Sequence, residues 1–218
     1  MRARRRQLLA LGVGKSENVY VVRSGLLVLQ ANAPGKHRQL LALHYPGDIF
    51  RASFAPPLPA VALSAASASE VWRLPADAFE TLLGAEPALG LHLNRQLAEE
   101  HARAILQVAI IGGLSGEERV ASFLIELGLR IGTRCANGLS FEIPLSRTDI
   151  ADYLALNADT LSRIMSRLKA KGLVAQTGRC RVQLPNWEGL CGLCPLADAV
   201  IALHSKAAPL PLAGRIQN

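Results

Sequence analysis

The sequence predicts an α+β chain with an N-terminal β-roll of jelly-roll type, a long helix and a C-terminal winged helix-turn-helix. Three observations predict it. Short apolar runs separated by turn signals fill the first third of the chain. A proline-free stretch from about Ala88 to Ile111 carries apolar residues at helical spacing. A capped helix, a tight turn, a second capped helix and a basic hairpin then follow in that order after Phe141.

The β-roll is read from Asn18-Val-Tyr-Val-Val, Gly25-Leu-Leu-Val-Leu-Gln, Arg38-Gln-Leu-Leu-Ala-Leu-His and Val61-Ala-Leu-Ser. Arg23-Ser-Gly, Asn32-Ala-Pro-Gly-Lys, Tyr45-Pro-Gly-Asp and Ala55-Pro-Pro-Leu-Pro separate them as turns. Strands this short and close suit a compact sandwich or jelly roll. A first strand over Gln7 to Leu11 completes it, and residues 1–87 form this domain.

In the helix expected over 88–113, Leu97, His101, Ala104, Val108 and Ile111 recur at spacings of four and three. That is the seam of a two-stranded coiled coil. The narrow stripe, bridging two regions of different type, favours dimerisation; the other reading is an ordinary helix packed on its own domain. Gly112-Gly113 is expected to break the helix, and Ser115 with Glu118 has the capping-box spacing for the next one. Val120, Phe123, Leu124, Leu127 and Ile131 give that helix its core face, and Thr133 to Gly138 reads as a loop.

The winged helix-turn-helix is expected over 114–186. Ser146 caps a two-turn helix with Asp149 three residues on, Ala155-Leu-Asn turns, and Asn157 caps a helix that stops at Gly172. Leu161, Ile164, Met165 and Leu168 form the buried face of this second helix. Asp159, Thr160, Ser162, Arg163 and Arg167 are left on its other faces. In such a motif the start of the second helix reaches base edges in the major groove. An arginine there can grip guanine O6 and N7, and a carboxylate can accept from cytosine N4. Asp159 and Arg163 are thus base readers, with Arg167 and Lys169 nearer the phosphates and Ser146 and Arg147 also at the DNA. Leu173-Val-Ala-Gln and Arg179-Cys-Arg-Val-Gln-Leu read as the wing. The alternatives are a helical hairpin with a solvated polar face, or a protein-binding surface.

The charge of the chain agrees with a polyanionic partner. Its 218 residues carry a formal charge of +7, and Lys and Arg that neutralise phosphates release counterions. Placement is more telling than the total, because Arg147, Arg163, Arg167, Lys169, Lys171, Arg179 and Arg181 lie in one stretch. No apolar run approaches the roughly 18–20 residues of a membrane span, and the basic start leads into too short an apolar run for a signal peptide. A cytoplasmic protein without a membrane partner is expected. No nucleophile–base pair or phosphate loop of known spacing suggests an enzyme.

The run Ser146-Arg-Thr-Asp-Ile-Ala-Asp-Tyr-Leu-Ala-Leu-Asn-Ala-Asp-Thr-Leu-Ser-Arg resembles the signature of the Crp/Fnr family of transcription regulators, nearest its Fnr and FixK branches. Glu117-Glu-Arg-Val-Ala-Ser-Phe-Leu resembles the helix after the family's dimer hinge. Val19-Tyr-Val-Val-Arg-Ser-Gly and Tyr45-Pro-Gly-Asp-Ile-Phe resemble its cyclic-nucleotide-binding-like β-roll. The resemblance covers about residues 8 to 186. It implies a homodimer on a palindromic operator in double-stranded DNA, more an activator than a repressor, with RNA polymerase as a further partner.

Departures from the family pattern carry their own expectations. Ser162 and Arg163 match its base-reading residues, but Asp159 stands where the family has Glu, which retracts the carboxylate by roughly 1.5 Å. The operator is then expected to deviate from the family half-site. Ala52 lies near the position of the family's nucleotide-binding Glu, and no Arg stands near Pro59-Ala60-Val61. A buried phosphate without an Arg partner is poorly compensated, so no cyclic nucleotide is expected. No cysteine precedes Cys135, so the N-terminal iron–sulfur ligand set of the Fnr sensor is lacking, and no cofactor is expected.

A C-terminal tail is expected over 187–218, with the C-x-x-C pair Cys191 and Cys194 and a loose end over Ala207 to Gly214. Four cysteines in a reducing compartment argue against structural disulfides. Cys180, Cys191 and Cys194 with His204 are open to a zinc site, a redox-switchable thiol set or neutral burial. Cys180 lies between Arg179 and Arg181, where cationic neighbours favour the reactive thiolate. A thiol-based redox or metal-binding protein with vestigial DNA binding is the rival function. His37, His44, His92 and His101 show no ligand spacing and read as solvated or core histidines rather than haem ligands.

Overall fold

A computed structural model describes residues 1–13, 16–32, 38–58, 60–136, 138–177 and 180–205. The chain forms two compact units, Met1–His101 and a second that begins at Ala102.

In chain order the first unit holds β1 (Arg2–Ala3), β2 (Leu8–Leu9), β3 (Gly12–Val13), β4 (Ser16–Ser24), β5 (Leu27–Asn32), β6 (Arg38–His44), β7 (Ile49–Arg51), β8 (Ala62–Ala65) and β9 (Ser69–Pro75). β1, β9, β4 and β3 make one antiparallel sheet, in which β7 also pairs with β4; β2, β8, β5 and β6 make the other. The β-roll is as expected, and β9 is a strand the sequence reading missed. The charged Glu70 and Arg73 interrupt its apolar residues in the sequence.

β4 explains the unbroken apolar run at Val19 to Val22. Side chains alternate across a strand, and this strand is covered on both faces. Tyr20 and Val22 join Leu27, Leu29 and Leu63 of the other sheet in one core. Val19 and Val21 point the other way, to Ile49, Phe79, Leu89 and Leu93. The last three come from two helices, α1 (Ala76–Ala85) and α2 (Pro87–Gly113). A doubly covered strand reads as continuous hydrophobicity.

α2 runs for 27 residues and ends at Gly113, so the helix stops at the expected glycine pair, with both glycines still in its last turn. An exposed helical Gly costs only about 1 kcal/mol relative to Ala. Buried Ile110 anchors the last turns, and its carbonyl accepts from Leu114 N at 3.1 Å.

In the second unit, α3 (Gly116–Ile131) starts in a capping box of Ser115 and Glu118 and is buried from Val120 to Gly128. It packs against β11 (Gly138–Glu142), α5 (Ala158–Ala170), α6 (Trp187–Leu193) and α7 (Ala197–His204). β10 (Thr133–Cys135), α4 (Arg147–Tyr153), β12 (Ala175–Thr177) and β13 (Arg181–Leu184) complete the unit, and the sheet order is β10-β11-β13-β12. The loop expected over Thr133 to Gly138 is instead the start of a hairpin. Its Gly138 has φ +96° and packs so closely on Leu184 that a Cβ would lie 2.1 Å from the Leu184 carbonyl oxygen.

The tail expected from residue 187 is also corrected. Leu190, Cys194, Ala197 and Val200 are buried, and α6 and α7 cover α3. Gly128 permits this approach, since a Cβ there would lie 3.2 Å from Trp187 Cζ3. The loose end expected over Ala207 to Gly214 lies outside the described residues.

Candidate nucleic-acid interface

Each terminus of the helix pair is fixed by its own sequence. Ser146 Oγ accepts from Asp149 N at 3.1 Å, and Asp149 Oδ2 accepts from Ser146 N at 3.0 Å, closing the capping box of α4. Ile150 and Tyr153 turn inward, and the Tyr153 ring meets Phe123 edge-on with centroids 5.9 Å apart. Asn157 Oδ1 caps α5 by accepting from Thr160 N at 2.7 Å. At the far end Gly172 adopts φ +69°. Leu173 N then donates to Leu168 O and Gly172 N to Lys169 O, both at 3.0 Å, which is the Schellman pattern.

The turn between the helices holds the backbone exception of this site, Ala155 with φ 51°. Arg119 of α3 braces it. Its Nη1 donates to the carbonyls of Leu154 at 3.3 Å and Ala155 at 3.4 Å, while Nε donates to Leu114 O at 2.9 Å. Nothing local in the sequence marks Arg119, because its carbonyl partners are 35 and 36 residues away in the chain.

Leu161, Ile164 and Leu168 are buried and Met165 is half-buried, so the inner face of α5 is the expected one. Asp159, Arg163 and Arg167 are exposed, and Thr160 and Ser162 are half-buried. Among the described residues neither Asp159 nor Arg163 has a hydrogen-bond or ion-pair partner. Their neighbours differ. Arg147 Nη1 donates to Ser162 Oγ at 3.3 Å, and Ser162 Oγ donates to Ala158 O at 2.9 Å. Lys169 Nζ donates to Gln176 Oε1 of the wing at 2.6 Å.

Glu117 takes both Lys171 Nζ, at 2.6 Å, and Arg167 Nε, at 3.5 Å. The Lys171 bond, with Arg167 adding to it, holds the Glu117 carboxyl below its usual value. Arg167 and Lys169 therefore have partners within the chain, and the Ser146 hydroxyl is committed to its cap. The Ser146 cap is legible in the sequence, whereas the ties of Arg167 to Glu117 and of Lys169 to Gln176 are made only by the fold.

β12 and β13 form the expected wing, with Thr177 opposite Arg181. Arg181 Nη2 pairs with Glu142 at 3.1 Å, and Arg179 lies outside the described residues. A cleft between α5 and the wing is lined by Arg147, Ser162, Lys169, Gln176 and Cys180.

On α2, His101, Ala104 and Val108 of the expected seam are exposed and Ile111 is half-buried. Leu97 is placed differently: it packs against the Val19–Ile49–Leu93 core of its own unit, because the helix covers the sheet up to that point. Ile105 takes its place on the open face. Ile105 is 59% and Val108 72% exposed. The i, i+3 spacing of those two was the signal available in the sequence.

Cys135 and Cys180 are exposed, Cys191 is intermediate and Cys194 buried, all as free thiols. Burial raises the pKa of both Cys191 and Cys194, and each gains from a nearby acidic group. Among the described residues, no group of three or more His, Cys, Asp or Glu close enough to share an ion includes a cysteine. In the β-roll, Arg51 pairs with Glu17 at 2.7 Å and Glu80 at 2.9 Å. Burial opposes the Glu17 charge, but bonds from Arg51 and Ser53 N outweigh it and lower its pKa.

Residues 118–193 match the Crp-like helix-turn-helix domain. The chain is 32% identical over 182 residues to the nitrogen fixation regulation protein FixK of Azorhizobium caulinodans, covering 80% of this chain and 71% of that one. It is 29% identical over 180 residues to the transcriptional activator protein FnrA of Stutzerimonas stutzeri, covering 81% and 72%. Its alignment with the anaerobic regulatory protein of Haemophilus influenzae spans 63% of that protein. The structure of FixK2 from Bradyrhizobium japonicum superposes with a TM-score of 0.76 at 28% identity, covering 89% of this chain and 96% of that one. No described helix is long and apolar enough to cross a membrane. The chain belongs to the Crp/Fnr family of DNA-binding transcription regulators, on its Fnr/FixK side.

Proposed function

We propose that the chain works as a homodimer that lays two α5 helices in successive major grooves of a palindromic operator and activates transcription there. One observation carries the base-reading assignment. Asp159 and Arg163 are exposed and without partners among the described residues, while the polar residues around them are tied down. Arg163 is suited to guanine O6 and N7, and Asp159 to cytosine N4. Arg147, braced on Ser162, and Thr160 flank them for backbone contacts. Arg167 and Lys169 serve phosphates only by sharing their present partners.

The open face of α2, with Ala104, Ile105 and Val108, supports pairing with a second copy. Exposed apolar residues at coiled-coil spacing are stabilised by a partner helix. The names of FnrA and Anr, transcriptional activators, favour activation and thus contact with RNA polymerase in the cytoplasm. Control by a cyclic nucleotide is disfavoured because Arg51 is held by two carboxylates and Ala52 offers no ribose acceptor. Regulation by binding, not catalysis, is the activity.

Binding-site selection from random duplexes, with and without reductant, tests this reading. The expected product is a palindrome with half-sites about 10–11 base pairs apart, centre to centre. Recovery of no common sequence would sink it.

A further inference from the structure

We propose that His44, Asp48 and Glu100 form a site for one divalent first-row transition-metal ion. A donor atom from each lies within 4.8 Å of the other two. His44 and Asp48 are buried, His44 with only 5% of its surface exposed, and among the described residues neither His44 nitrogen makes a hydrogen bond. An imidazole buried without a partner loses the hydrogen bonds it had in water, and a ligand ion restores one of them.

The surroundings hold the three residues in place. His44 ends β6 and Asp48 precedes β7, and Asp48 Oδ2 accepts from Tyr45 N at 2.8 Å, shaping that corner. Gln96 of α2 clasps the next residue, with Ile49 N donating to its Oε1 and its Nε2 donating to Ile49 O, both at 2.8 Å. One helical turn later Glu100 comes over the corner. Its Oε1 accepts from Gln96 Nε2 at 2.8 Å and stands 3.7 Å from His44 Nδ1. Phe50 closes the other side, edge-on to the His44 ring at 5.1 Å.

The chemistry of the donors selects the ion. One imidazole with two carboxylates suits Zn²⁺, Fe²⁺, Co²⁺ or Mn²⁺ better than Mg²⁺ or Ca²⁺, which take oxygen ligands. A tetrahedral ion with bonds of about 2.0–2.1 Å spaces its ligands by about 3.4 Å. A small swing of the half-buried Glu100 side chain closes the gap. Gln96 is then the outer partner that orients the carboxylate. Such an ion ties the corner between β6 and β7 to α2.

Equilibrium dialysis of the chelator-treated full chain against Zn²⁺, Co²⁺ and Mn²⁺ in turn tests the site, with His44→Ala and Glu100→Gln beside the unaltered protein. Thiol-bound metal is common to all three and cancels. For at least one ion the unaltered chain should hold one equivalent more than either variant, whose affinity falls at least about 100-fold. If His44→Ala does not fold by circular dichroism, the isosteric Glu100→Gln decides. Equal metal content in the folded proteins for every ion overturns the proposal. Since DNA plays no part in the measurement, failure here leaves the operator reading untouched.

Discussion

Arg147 donates from Nη1 to the hydroxyl of Ser162 at 3.3 Å, bracing the first residue of α4 against the outer face of α5. The guanidinium is thereby presented beside Asp159 and Arg163, the proposed base readers, and is assigned to the phosphate backbone under the same proposal. A phosphate contact changes affinity for every duplex alike and adds about one unit to the salt slope. Arg147→Ala should therefore weaken operator and scrambled duplex by a similar factor and flatten the salt dependence by about one unit. Fluorescence anisotropy titrations across a salt series measure both. A loss confined to the operator would show that Arg147 reads bases instead.

Glu117 anchors Lys171 and Arg167 to α3, and its pKa is lowered by them. A carboxyl with a depressed folded pKa stabilises the fold above its ordinary value of about 4.3 and loses that contribution as pH falls through the folded value. Glu117→Gln should thus lower the denaturation midpoint near pH 7 and have little effect near pH 3. Urea titrations at the two pH values compare them. A difference that persists in acid would place the effect in packing and not in the charge.

Ala155 pays for the helix-turn-helix turn with φ 51°, a conformation that costs a residue with a Cβ roughly 1–2 kcal/mol. Ala155→Gly relieves the strain but frees the unfolded chain, for a net gain of about 0.5 kcal/mol. Ala155→Val, branched at Cβ, should lose roughly 2 kcal/mol. Chemical denaturation ranks the three proteins, and Val above Ala would contradict the turn geometry.

The helix-turn-helix was legible because its signals are local. Ser146 with Asp149, Asn157 before α5, and Gly172 after it each specify a terminus within three residues, and the structure has all three caps. What escaped depends on distant partners. Arg119 acts on Leu154 and Ala155, and β10 needs β11 and β13 before Thr133 to Cys135 reads as a strand. α6 and α7 were mistaken for a tail because their burial is supplied by α3. His44 looked like an ordinary histidine until the fold brought it to Glu100, 56 residues on by their numbers.

The open face of α2 gives a separate test. Val108, 72% exposed, lies on the proposed seam. Val108→Asp should convert a dimer to a monomer in sedimentation velocity and abolish tight operator binding, while Leu58→Asp, at an exposed leucine away from α2, should change neither. A monomeric unaltered protein that still binds a palindrome would contradict the pairing.

Arg163 bears on the central claim most directly. On the duplex recovered by site selection, at fixed salt, Arg163→Ala should cost about 1–3 kcal/mol of operator affinity and leave scrambled-duplex affinity nearly unchanged. Its selected sequences should also be relaxed at one position of each half-site. Operator binding by Arg163→Ala equal to that of the unaltered chain, with the same selected sequence, would contradict the account.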